Sequence, residues 1–155
     1  VINMNKVKSI LVTLAVILSA VACEKKTPVE PPVEYLEVNV SNISVSWELV
    51  EWNGAELQSG TYVFLNIIRK DWTYQMWQNV DSFQDVPHMV TGRFYLDVDP
   101  AVGAVIRGDY DHDSGDWAHR YIIKDLTKDS MIWVAKDNAD YVQKFVRVES
   151  IPVAD

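Results

Sequence analysis

Asp109, Asp111 and Asp113 alternate just ahead of Gly115 and Asp116, the spacing with which a loop gathers oxygen ligands around calcium. A helix–loop–helix calcium site also needs glycine at its sixth place and glutamate at its twelfth, where this chain has Ser114 and Arg120. The run therefore reads as a polar hairpin tip in which Asp111 faces Asp116, a like-charge pair that leaves room for a weakly held surface cation, and no metal site or cofactor is expected. Of the three histidines, His88 and His112 fall in loops, and none is spaced with another as metal ligands are. His119 is expected to point inward opposite Gly108, where the missing side chain leaves room beside the imidazole. A Gly-x-Ser-x-Gly elbow, a phosphate-cradling glycine loop and a second cysteine are all missing from the sequence. With no pair of buried carboxylates to argue for, the chain is expected to bind rather than to catalyse.

The remaining reactive group is Cys23, the single thiol. A basic start, Met4-Asn5-Lys6-Val7-Lys8, leads into an apolar run over 10–19 and then into Ala20-Val21-Ala22-Cys23. This order resembles a signal peptide ending in a lipobox, in which cleavage precedes the cysteine and its sulfur carries a diacylglycerol. Ala20 stands where such motifs more often have leucine. Residues 9–22 are fewer than the ~20 that a membrane-spanning helix requires. The sequence thus predicts a signal peptide over 1–22, a lipidated Cys23 with a Pro-rich tether over 23–41, and one domain over 42–152. The expected location is the cell envelope, on the outer membrane, with the lipid as membrane partner. With the thiol so used, no disulfide is available and packing must hold the fold. The formal charge of the 155-residue chain is −8, and Lys6 and Lys8 both belong to the leader. So acidic a chain repels phosphate backbones, which excludes nucleic acid as a partner.

The elements that must position these groups are strands. Six Trp, seven Tyr and four Phe enrich segments that alternate with period two. Eight such segments are predicted, at 43–52, 61–68, 72–80, 88–98, 104–111, 116–125, 130–136 and 141–148, separated by turn residues such as Asn53-Gly54 and Asp99-Pro100. Short connections make each strand pair with the next, and an antiparallel meander of eight closes most simply as an up-and-down barrel. Two hairpins allow a register to be written. Val98 opposite Ala104 sets Leu96 against Ile106 and Phe94 against Gly108. Tyr110 opposite Trp117 sets Gly108 against His119 and Ile106 against Tyr121. The predicted interior holds Trp47, Leu49, Phe94, Leu96, Ile106, Tyr110, Trp117, Tyr121 and Ile123. A tight turn at Lys70-Asp71 sets Phe64 opposite Trp77 on a face shared with Tyr62, and that face could be core or an exposed patch for a protein partner.

The run Ile43-Ser44-Val45-Ser46-Trp47-Glu48-Leu49 with Trp52-Asn53-Gly54, and Lys144-Phe145-Val146-Arg147 near the end, resembles lipocalin-like lipoproteins of the Bacteroidota. The resemblance spans about 43–152. It implies an eight-stranded all-β barrel whose floor is closed by Trp47 under Arg147, with Val45 in the place of the family glycine, and a small-molecule pocket inside. Two functions follow as expectations. One is a lipid-anchored barrel binding a small apolar or aromatic molecule through Trp47, Tyr110, Trp117, His119, Tyr121 and Arg147. The other is an envelope lipoprotein with a filled barrel that meets a protein through Tyr62, Phe64 and Trp77.

Overall fold

The computed structural model describes residues 30–80, 88–113 and 115–153. The expected signal peptide and Cys23 lie outside the described residues. The unit considered below is Val33–Asp155. Its described residues contain one short helix, α1 (Val40–Ile43), and nine strands: β1 (Ser46–Trp52), β2 (Ala55–Glu56), β3 (Val63–Ile68), β4 (Thr73–Gln78), β5 (Met89–Asp99), β6 (Gly103–Gly108), β7 (Tyr121–Lys124), β8 (Ser130–Ala135) and β9 (Asn138–Val148). From β3 each strand pairs antiparallel with the next, and β1 pairs with both β3 and β9. The result is a closed antiparallel up-and-down barrel of eight strands, with β2 an extra piece folded onto β1. Closure removes the unpaired edges that an open sheet would present.

The registers of two hairpins follow from alternation and tight turns. Phe94 pairs with Gly108, Leu96 with Ile106 and Val98 with Ala104, as predicted. Phe64 pairs with Trp77. The pattern left open which face of that hairpin is inner. Val63, Leu65, Ile67 and Tyr74 belong to the core, so Phe64 and Trp77 point out.

A meander has two ends. α1 and the β3–β4, β5–β6 and β7–β8 turns lie at one, the floor. The connections after β1, β6 and β8 lie at the other, the mouth. At the floor Trp47, Phe94, Leu65, Ile106, Leu126 and Met131 are almost wholly buried, together with Ile43 of α1. The Trp47 indole N–H donates to the Ile43 carbonyl at 2.9 Å, so the helix caps the tryptophan and satisfies its polar atom. Asn39 caps the helix in turn, its side-chain oxygen accepting from the Asn42 N–H. Segment 36–41, counted above as tether, is part of this plug. Leu36, Val38 and Val40 pack on the core, and the Leu36 N–H donates to the Leu126 carbonyl at 2.7 Å.

This plug overturns the expectation for Arg147. Its backbone lies opposite Trp47, yet its side chain is exposed, in a surface groove with Lys128, Asp129 and Glu149. The space beneath Trp47 already holds Ile43, so the guanidinium stays in water, where charge is cheapest. Among the described residues, the cation over an aromatic face is Arg107, 4.1 Å from the Tyr95 ring centroid.

Candidate functional site

The upper half of the barrel encloses a cavity of about 340 Å³. Its walls come from residues of seven strands, β1, β3 to β5 and β7 to β9, together with the β6–β7 connection, and two departures from regular pairing decide which. In β1 the partners run Leu49–Phe145 and then Glu51–Lys144, leaving Val50 as an extra residue. Such a bulge reverses the alternation. Glu51 turns outward, where its carboxylate meets the Lys144 ammonium at 2.6 Å, and Trp52 turns inward opposite Gln143. Period-two reading carried across Val50 places Trp52 on the wrong face, and Trp52 was missed for that reason.

The second departure lies between β6 and β7. Ile106 pairs with Tyr121 as predicted, but nearer the mouth Asp109 bridges Asp116. The pairing has moved by two residues. The Trp117 N–H donates to the Gly108 carbonyl and the Tyr110 N–H to that of Gly115. Trp117 therefore takes the place over Gly108 that His119 was expected to take, and a side chain on Gly108 would collide with the indole. Likewise Asp116 faces Asp109, not Asp111. His119 leaves the sheet and sits at the rim, its Nδ1 2.9 Å from an Asp137 carboxylate oxygen and its ring 4.7 Å from that of Tyr141. It touches rings that line the cavity without lining it.

Of the six interior candidates, Tyr110, Trp117 and Tyr121 line the cavity. Trp47 lies below it in the packed floor, His119 is at the rim and Arg147 is outside. Trp52, Trp133, Tyr141 and Gln143 complete the wall unforeseen. Trp133 and Tyr141 were recoverable, since β8 buries every second residue and β9 faces it. The aromatic walls interlock: Trp117 and Trp133 centroids are 5.8 Å apart, Trp133 and Tyr121 5.2 Å, Trp52 and Tyr141 5.6 Å.

A hydrogen-bond chain separates cavity from floor. The Trp117 indole N–H donates to the Tyr74 hydroxyl at 2.9 Å, and that hydroxyl donates to the Asp109 carbonyl at 2.9 Å. The carbonyl fits because its neighbour is Gly92, where a methyl would run into it. Desolvation holds the Tyr74 hydroxyl well above the ordinary phenol value. The same cause raises Tyr110, Tyr121 and Tyr141 on the cavity wall, so these groups remain neutral donors and acceptors.

Polar atoms reach the cavity at few points. Gln78 is committed, its amide oxygen accepting the Val80 N–H at 2.7 Å. Gln143 is 9% exposed and lies between Trp52 and Trp133, and its side-chain amide hydrogen-bonds to no other described residue. His112, Asp113 and Asp116 stand at the mouth, with His112 Nε2 3.4 Å from Asp113 Oδ2. The acidic run behaves as a hairpin tip. Asp109 accepts from the Arg93 N–H and the Tyr95 hydroxyl, Asp111 from the Thr91 hydroxyl and Asp113 from the Gly115 N–H. No group of three acidic, His or Cys side chains among the described residues converges as metal ligands would.

The partner-contact candidates lie on the outer face. Tyr62 and Phe64 rings are 5.8 Å apart, Phe64 is covered to 6% exposure, and Ile151 and Val153 flank a groove with Tyr62, Trp77 and Met89. No protein-family model matches this sequence, and neither the curated proteins nor the solved structures contain a match to it.

Proposed function

We propose that this protein is a lipid-anchored barrel of the cell envelope that binds a small apolar or aromatic molecule, and that it is not an enzyme. The observation that carries the reading is the cavity: about 340 Å³, walled by aromatic rings, with the Gln143 amide on its wall hydrogen-bonded to no other described residue. Ligand pockets run from roughly 300 to 1,000 Å³ and combine apolar walls with a few polar groups, so the ligand is small, of one or two rings or a short aliphatic chain. The order of basic start, apolar run and Ala20-Val21-Ala22-Cys23 supports the anchor, and likeness to lipocalin-like lipoproteins of the Bacteroidota agrees with both.

Trp52, Trp117 and Trp133 line the cavity and report on its occupancy. Titrating the full chain with a panel of one- and two-ring aromatics and short aliphatic compounds should give saturable change in tryptophan fluorescence with at least one class. No saturable change with any class would overturn the binding reading in favour of a protein-contact role for the outer face around Tyr62, Phe64 and Trp77. The anchor is tested separately. A fatty-acid analogue should label the wild type and leave Cys23→Ser unlabelled in the soluble fraction.

A further inference from the structure

The cavity's chemistry narrows the ligand class. Resting on the proposal that the barrel binds a small molecule, we propose that the molecule is an organic amine, bound as its cation, with N–H donated to Gln143 and its apolar body against Trp117, Val90 and Met76.

Gln143 carries the argument. A side chain so buried normally has its amide satisfied, because an orphaned polar group in an apolar setting costs about 1–3 kcal/mol. Here its neighbours across both strand pairings are indoles, Trp52 and Trp133, which cannot accept from it. Its amide atoms stay accessible from the cavity, so they take their partner from what occupies it, water or ligand. An amide offers both a donor and an acceptor, so Gln143 alone does not fix the sign of that partner.

The surroundings fix it. Among the described residues no Lys or Arg lines the cavity, and the charged residues that do are Asp113 and Asp116, with His112 between Asp113 and the Tyr110 ring. The nearby basic side chains are engaged elsewhere. Lys144 holds Glu51, Lys136 holds Asp99, and the His119 ring holds Asp137. A carboxylate entering this cavity would lose its water, find no countercharge and pass two aspartates, each an unfavourable step. A cation meets the opposite conditions. Trp52, Trp133, Tyr121 and Tyr141 line the cavity with Gln143, and aromatic rings attract positive charge, most strongly when water is excluded. The Gln143 carbonyl then accepts the ammonium N–H as a charge-assisted hydrogen bond.

The test is a matched series on the full chain by calorimetry at fixed ionic strength: phenylbutylamine, phenylbutanol and phenylbutyrate. These share one apolar body, which suits the cavity, and differ only in the terminal group. The amine should bind roughly tenfold or more tighter than the carboxylate, with the alcohol between, as one desolvated cation–π and hydrogen-bonded contact predicts. Gln143→Met keeps the volume and removes the amide, and should cost the amine most of its advantage over the alcohol. Should that variant fail to fold, Asp113→Asn with Asp116→Asn keeps the turn's acceptors and should reduce amine affinity several-fold while leaving the alcohol unchanged. Equal or tighter binding of phenylbutyrate would overturn the amine assignment and leave the binding reading standing. Amine affinity unaltered in both variants would equally overturn it. Failure of all three compounds, with failure of the wider panel, would remove the binding reading itself.

Discussion

The floor and mouth halves of this barrel share one closed sheet and similar aromatic content, yet one half is solid and the other hollow. At the floor, Trp47 is 1% exposed, Ile43 fills the space beneath it and its single N–H has a carbonyl partner. In the upper half, Trp52, Trp117 and Trp133 stand around a cavity, and the Gln143 side chain hydrogen-bonds to no other described residue. Strand number alone does not decide whether an eight-stranded barrel is filled. Filling here depends on α1 and segment 36–41, which bring apolar side chains to the floor from outside the sheet. The boundary is the chain from Trp117 through Tyr74 to Asp109, which holds the lowest cavity ring in place.

The sharpest way to break this contrast is to remove one large side chain from each half. Trp47→Ala should cost about 3–5 kcal/mol of unfolding free energy, the range for deleting a buried ring from a packed core. Tyr141→Ala, on the cavity wall, should cost much less, since part of its surroundings is already void. Urea denaturation of both variants measures the difference, and equal costs would mean that the halves are packed alike. The boundary comes next. Tyr74→Phe leaves the Trp117 N–H and the Asp109 carbonyl without their shared partner and should cost about 1–3 kcal/mol. It should also shift Trp fluorescence, whereas loss of stability with unchanged emission would show that Trp117 is held by packing alone.

Alkali separates the Tyr74 variant from the wild type through protons. Burial makes Tyr74, Tyr110, Tyr121 and Tyr141 all bind their protons more tightly in the fold than an ordinary phenol does. Above pH ~10 the unfolded chain ionises while the folded chain resists, so the folded state binds more protons and stability falls as pH rises. Below pH ~10 the contribution is fully present. Tyr74→Phe should lose less stability than wild type over that window, by at most about 1.4 kcal/mol per pH unit. Denaturation midpoints at pH 8 to 11 would expose a parallel decline, which would sink the claim that Tyr74 is held neutral by burial. The smallest effect belongs to the rim. His119→Ala removes an exposed pairing with Asp137 and should cost under about 1 kcal/mol while leaving ligand affinity within a factor of two or so. A large loss of affinity would return His119 to the binding site.

How much of this was readable depends on whether pairing stayed regular. The β3–β4 and β5–β6 hairpins have tight turns and unbroken alternation, and Phe64–Trp77 and Leu96–Ile106 were correct to the residue. The barrel followed from the same alternation and the short connections. The site was legible only in part, because it is built where alternation fails. The Val50 bulge brings in Trp52, and the shifted pairing beyond Ile106 exchanges Trp117 for His119. Each irregularity leaves composition and local propensity unchanged while moving every later side chain to the other face or another level. Arg147 failed for a different reason. Its register was right, but competition for the floor was decided by α1, four residues whose role is tertiary.

The join between β1 and β9 has a kinetic consequence. The Asn53 side chain accepts from the Val142 N–H across 89 residues of sequence, and Glu51 meets Lys144 across 93. These are among the most distant contacts in the unit, and they cannot form until β9 is available. A chain whose ring is completed by its last strand has high contact order, and such topologies fold slowly because long loops must be closed before any gain is realised. Until then β1 presents an unpaired edge carrying Trp47 and Leu49, the kind of surface that recruits a neighbouring chain. The strand that completes the wall beside Gln143 thus also ends the interval in which the protein is most prone to aggregate.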